Sequence, residues 1–484
     1  MISLFKKENL LSKILPLLAA GIVVALFYWK ADFELITYQI LVACGIVLIF
    51  LAVFMRLSWF YYSLVLLIPL SLDRGFLGGA KLSFPSEAML LLMIPVCLIF
   101  NQDFRKRTNE ACKSPLTILL IADLLLLLLF SLFSTHVDVS LKRVLIRGLF
   151  FFGFFLMIFL FDDPKKLVWP WIIYALGLIP VMYYSIRNHI HFDFDPRVVF
   201  DICAPFYNDH TIYGACLAFI IPGLFLILLR AKLFNLKGLL LSFLWLTLGV
   251  LILSLMLALS RAALLSILAA LFFTVLLSFK VRFPQLLMGL GILAVVAWTL
   301  QDQIYDSIEK NEAVSNDGEL INHFSSVTNL KTDASNLERV NRWICAYRMF
   351  ESRPFTGFGP GTYQFEYNRF QSLENKTYIS TTSGDRGNAH SEYLTYLSET
   401  GIVGFIGFIS IVLYSLYLGM KNHYMVKDEV LKTINLVALL GLVTFYFHGI
   451  FNSFIDQSKM AFLVFTALAT LVWIQSRATK KREG

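Results

Sequence analysis

The chain has 484 residues, of which 58% are hydrophobic and only 15% charged, and its mean hydropathy is +0.70. Soluble domains carry about a quarter charged residues, so the composition excludes a water-soluble globular protein and points to a polytopic membrane protein. The net charge of +8 is spread over connections between apolar runs, as membrane topogenesis requires, and does not suggest a nucleic-acid partner.

About fourteen apolar runs approach spanning length. They lie at 14–28, 36–55, 60–72, 86–100, 115–133, 144–161, 167–186, 211–229, 239–259, 262–279, 286–300, 393–420, 433–451 and 460–474. Lys6 and Lys7 precede the first run, as in a signal peptide, but no small-residue cleavage site follows, so it reads as an uncleaved helix. The expected fold is an all-α integral membrane protein, a bundle of about 12–14 helices with a large, partly helical periplasmic loop. Its parts are an amino-terminal bundle at 1–200, central helices at 201–300, the loop at 301–391, and carboxy-terminal helices with a basic tail at 392–484.

Charge asymmetry orients the array. Clusters such as Arg105-Lys106-Arg107, Lys165-Lys166 and Arg477 with Lys480 and Lys481 occupy alternate connections, which the positive-inside rule places in the cytoplasm together with both termini. Segment 187–210, the Ser260-Arg261 break and the long loop 301–391 then face outward. Arginines in that loop do not overturn the assignment, because long loops translocate largely regardless of charge. The Asn/Ser/Asp-rich interval 310–333 reads as a mobile part of it. Six cysteines show no C-x-x-C spacing, so neither a zinc site nor a disulfide framework is indicated. Cys203 and Cys345 remain open to a bond if they share an oxidising compartment.

Polar residues that bear chemistry collect at the outward boundary. Ser260-Arg261 interrupts roughly forty apolar residues, and an arginine costs about 2.5–3.5 kcal/mol at a helix centre, so two spans meet at Arg261. Arg261 is either a snorkelling anchor or an anion ligand, since its planar fork suits phosphate. In the loop, Ser335 and Glu338 have capping-box spacing. Val340, Trp343, Ile344 and Tyr347 form the expected apolar face of a helix. Arg339 and Arg342, three apart, can converge on one anion or merely sit on a solvated face. Pro354 ends the helix, and Gly357-Phe358-Gly359-Pro360-Gly361 permits tight turns without being a P-loop, because no Lys-Ser/Thr follows.

His390 opens the next span and is the natural proton acceptor, with a helix cap or packing residue as the plain alternative. Asp209-His210 stands at the outer mouth of another span. Asp456 lies in an outer turn, where it could orient a sugar or an arginine. Asp123 is buried in the fifth span without a nameable partner. His189 and His191 with Asp193 and Asp195 have only generic metal-ligand spacing, so neither a metal nor a cofactor is assigned.

Four stretches resemble the O-antigen ligase and polymerase superfamily, multi-spanning bacterial enzymes that work at the outer leaflet. They are Asp209-His210-Thr211 running to Pro222, Ser260-Arg261-Ala262-Ala263, Arg339-Val340-Asn341-Arg342-Trp343 with Pro354 and Gly357-Phe358-Gly359, and Ala389-His390-Ser391-Glu392 with Glu399-Thr400-Gly401. The position after the histidine is commonly Asn in that superfamily, and Ser391 departs from it. The resemblance implies metal-independent glycosyl transfer from an undecaprenyl-diphosphate-linked glycan to an acceptor hydroxyl, with no nucleic acid involved. Arg261 and Arg339 would hold the diphosphate, Arg342 would share the task, and His390 would accept the acceptor's proton. Asp209, His210, Glu399 and Asp456 are the further substrate-binding candidates. The favoured acceptor is lipid A-core, at the periplasmic face of the inner membrane. Rival readings are a repeat-unit polymerase extending a growing glycan, protein O-glycosylation, a polysaccharide-lipid flippase or transporter, and a non-catalytic scaffold.

Overall fold

The computed structural model describes residues 57–76, 80–300, 334–371 and 387–483. The apolar runs at 14–28 and 36–55 and the interval 310–333 lie outside the described residues. Helix α1 (Leu57–Leu67) has only 11 residues and leads not into a longer span but into a hairpin, β1 (Leu72–Phe76) and β2 (Ala80–Phe84). The strands pair antiparallel with Asp73 opposite Ser83, and the Ser83 hydroxyl donates to Asp73 Oδ1 at 2.6 Å. Hydropathy reads the run at 60–72 as one element because Leu70 and Leu72 are as buried as the helix before them.

Helices α2 (Ser86–Phe100) and α3 (Gln102–Ala111) meet at 97°, where Asn101 caps the backbone N–H of Phe104. The pair is followed by α4 (Pro115–Leu132) and α5 (Val137–Phe150), the latter prolonged by a π turn and a 3-10 turn to Leu160. This span begins at Val137 rather than at 144, so it carries Arg143 as well as Arg147 into the bundle. Helices α6 (Trp169–Gly177) and α7 (Ile179–His191) form one further span.

Asp209 caps α8 (His210–Leu229), its side chain accepting from Thr211 N–H at 2.8 Å. Helices α9 (Gly238–Leu257) and α10 (Arg261–Ser278) meet at the Ser260 break, and α11 (Phe283–Thr299) follows. Beyond the undescribed stretch come α12 (Ala334–Ser352), α13 (Glu392–Met425), α14 (Glu429–His448) and α15 (Ser458–Glu483).

Among the described residues nine helices are long and apolar enough to cross a membrane, or ten if the α2–α3 pair is one span. The protein is an all-α integral membrane protein. The spans of α15, α14 and α8 are 94%, 83% and 78% buried, against 28% and 33% for α10 and α9. The first three are therefore the pillars of the core, while α9 and α10 turn most of their apolar side chains to lipid. One buried cluster runs from Phe60 to Ile474.

One expectation is corrected, and one open question is answered. The buried face of α12 is Glu338, Asn341, Arg342, Cys345, Ala346 and Met349, whereas Tyr347, on the expected apolar face, is 52% exposed. Burial of this polar face is sustained because its charges are paired inside the protein, as the site geometry shows. Cys203 and Cys345 are free thiols, Cys203 lying 3.6 Å from Ser185 Oγ and Cys345 3.8 Å from Asn341 Oδ1.

Candidate active site

The loop before α13 is held against α12 by backbone acceptors. Arg342 donates from Nε to Glu338 Oε1 at 2.9 Å and from Nη1 to Asn388 O at 3.2 Å, and its guanidinium lies 5.0 Å over the Tyr367 ring. Glu338 thus serves Arg342. Trp343 Nε1 donates to His390 O at 3.1 Å, and His390 N–H donates to Asn388 Oδ1 at 2.9 Å. Asn388 Nδ2 in turn donates to Ser453 O at 3.0 Å. These bonds hold His390 at φ +47°, a left-handed conformation uncommon for a side-chain-bearing residue. Ser391 then caps α13, accepting from Leu394 N–H at 3.4 Å.

Arg339 and Arg342 both act on the His390 ring. Burial first, then the Arg342 and Arg339 charges, push its pKa down to about 3, against Asp209 and a hydrogen bond with Asn452. Asp209 is partly buried, which opposes its ionisation, but His210 and Thr211 hold it at about 2. His210 Nδ1 lies 3.0 Å from Asp209 Oδ1, and its ring stands edge-on to Phe200. His448, the last residue of α14, senses both Arg339 and Asp209. Arg261 comes to the same end of the bundle through Ser260: a methyl on Gly214, one turn into α8, would meet Ser260 Cβ at 2.9 Å.

The other motif residues build the frame. Glu399 accepts from the N–H groups of Gly361 (2.7 Å) and Tyr363 (3.1 Å), while Gly359 N–H donates to Glu399 O at 2.8 Å. Glu399 therefore pins the glycine-rich loop to the kink of α13 at Gly401, whose φ is +63°. Asp456 binds Arg143 and, at 3.0 Å, Nε of Arg147. Burial would push its carboxyl up, but the two guanidinium groups overcome this and keep it ionised. Asp456 therefore orients arginines, one of its two anticipated uses. Arg147 continues to Tyr396 Oη at 2.7 Å, and Tyr396 donates to Asp123 Oδ2 at 3.2 Å. This supplies the partners of Asp123. Glu392 accepts from Ile455 N–H (2.7 Å) and Ser453 Oγ (3.0 Å) and so shapes the outer turn.

Sequence reasoning passed over Arg143, Arg147, Glu392, His448 and Lys459. An Arg pair four apart at the mouth of an apolar span was the available signal for the first two. His189, His191, Asp193 and Asp195 form no three-ligand group among the described residues. Beside the site opens a polar cavity of about 390 Å³ whose walls include Asn388, Asn208, Glu399 and Asp456.

The arrangement is a many-spanning helical bundle with arginines, a histidine and a polar cavity gathered at one end, groups whose chemistry suits an anionic, polyhydroxyl ligand. Residues 246–409 match the O-antigen ligase family model. The motif resemblance is borne out by this match, which supports the O-antigen ligase superfamily and, in general terms, a ligase- or polymerase-type function. No curated protein matches the chain.

Proposed function

We propose that the protein transfers a glycan from undecaprenyl diphosphate to a hydroxyl of lipid A-core, at the outer face of the bacterial inner membrane. Both termini lie on the cytoplasmic side in this reading. The observation that carries it is the setting of His390, whose carbonyl accepts from Trp343 and whose neighbour Asn388 accepts from Arg342, with the Arg342 and Arg339 charges near enough to disfavour protonation of its buried ring. Fixed cations beside a neutral imidazole provide for an anionic leaving group and a proton acceptor in one place.

The acceptor oxygen attacks the anomeric carbon while the bond from that carbon to the diphosphate oxygen breaks. The bonding electrons leave with the diphosphate, and the acceptor's proton passes to His390. A lipid diphosphate is a stable anion and needs no acid to depart, so arginines can do what a metal does elsewhere. Arg342 already spends Nε on Glu338 and Nη1 on Asn388. This makes it chiefly the clamp that positions His390, with Arg339 and Arg261 as the principal diphosphate ligands. Donor binding also offsets the arginine field that suppresses His390, so the base gains strength once the donor is seated.

Clustering at one end of the bundle supports an enzyme over a transporter. The void beside the intramembrane pair Asp123 and Arg147 is only about 20 Å³, room for little more than a water.

The test is in vitro transfer with purified protein, an undecaprenyl-diphosphate glycan, lipid A-core and EDTA. Wild type is expected to place glycan on the core, with His390→Ala slower by about 10²–10⁴-fold, the usual worth of a general base. Lengthened lipid-linked glycan with bare core would assign a repeat-unit polymerase instead. Equal product from both proteins would remove His390 from the chemistry.

A further inference from the structure

The arginines and His390 leave the 390 Å³ cavity unexplained, and its volume lies in the range of small-ligand sites. It starts at Asn388, two residues before His390, and at Asn208, beside Asp209. Part of its wall is Asp73 and Ser83 of the β1–β2 hairpin and Glu87 of α2, outside the family-matched stretch. Besides Glu399, which is bonded to the glycine-rich loop, two charged side chains of the lining are more than nine-tenths buried, Glu87 at 5% and Lys459 at 7% exposure.

Neither spends its full hydrogen-bonding capacity on the protein. Glu87 accepts Ser83 N–H on Oε2 at 3.0 Å, while a carboxylate has about four acceptor sites. Lys459 has three donors; it gives one to Phe206 O and rests 4.2 Å over the Tyr207 ring. Buried polar groups with unmet capacity are costly unless water or a ligand meets it. A hydrocarbon tail has nothing to offer them, whereas sugar hydroxyls both donate and accept.

Charge narrows the class. The lining holds Asp73, Glu87, Glu399 and Asp456 against Arg143 and Lys459, and Arg143 is paired with Asp456. Among the described residues the lining has no surplus of positive charge, so a uronate or phosphorylated sugar finds no excess of cations to pair with.

We propose that this cavity is the saccharide subsite, taking a neutral or amino-substituted sugar unit selected by Asp73, Glu87 and Asn208 of the amino-terminal wall together with Lys459. Its placement next to the reacting centre rests on the transfer reading above, but sugar binding is measurable without transfer. Full-length protein in nanodiscs is examined by saturation-transfer NMR with N-acetylglucosamine, glucosamine and glucuronate. The first two are expected to bind, and glucuronate about tenfold more weakly or not at all. Asp73→Asn with Glu87→Gln should weaken glucosamine about tenfold and improve glucuronate. Gln457→Ala, at the exposed rim of the cavity, should weaken N-acetylglucosamine without disturbing the buried charges, so a folding defect in the hairpin variant leaves the proposal testable. Equal binding of all three sugars, binding of none, or unchanged binding in both variants overturns it. Selective binding without glycan transfer would sink the transfer reading and leave the subsite; transfer with variants that bind as wild type does would do the reverse.

Discussion

In the proposed transfer His390 is the residue on which the chemistry turns, and its surroundings make a pH prediction. Its pKa of about 3 leaves the imidazole neutral throughout about pH 5 to 8, so kcat/KM for the donor should show no acid limb near 6.5. Arg339→Gln removes one of the charges that disfavour imidazolium, which raises the pKa and moves the limb upward. Steady-state rates across that range check this; a wild-type limb at 6.5 would contradict it. Stability follows the same sign. The folded value lies below the unfolded 6.5, so the contribution of this group is complete above 6.5 and is lost as pH falls toward 3.

Among the elements, the glycine-rich loop and the α13 kink form one interlocked piece. A methyl on Gly357 (φ +61°) would sit 2.3 Å from the backbone carbon of Glu399, and backbone cannot yield as a side chain does. Gly357→Ala should therefore cost about 1–3 kcal/mol, read as a lower unfolding temperature in detergent. Gly148→Ala in α5, where the added methyl meets nothing within 4 Å, should instead stabilise by about 0.5–1 kcal/mol. The same measurement separates them, and equal effects would mean the loop does not dock as described. The loop matters for function because Glu399, which secures it, also lines the cavity.

For the whole molecule, the polar chain Arg143–Asp456–Arg147–Tyr396–Asp123 ties α4, α5 and α13 to the turn before α15. Arg147 is only 7% exposed, so removing its partner strands a buried charge. Asp456→Ala should cost about 3–5 kcal/mol, and Asp456→Ala with Arg147→Met distinctly less than the sum of the single changes. A double-mutant cycle on unfolding decides it, and strict additivity would show that the two residues stabilise independently.

Much of this was legible in the chain itself. Apolar runs mark the spans because the cost of exposing polar backbone to lipid is paid residue by residue, and breaks such as Ser260-Arg261 and Asp209-His210 announce themselves against that background. Motif residues mark one end of the bundle for the same reason: charge is rare enough there to stand out. Tertiary structure alone decided what each charge does. Which side of α12 is buried depends on Glu338 and Asn388 O pairing Arg342, and Asn388 lies 46 residues from it in sequence. Asp456 meets its arginines across 309 and 313 positions. The hairpin wall, Lys459 and the cavity they enclose are invisible to periodicity. They exist only where distant segments meet, since the field and the hydrogen bonds at a point are sums over neighbours in space and not along the chain.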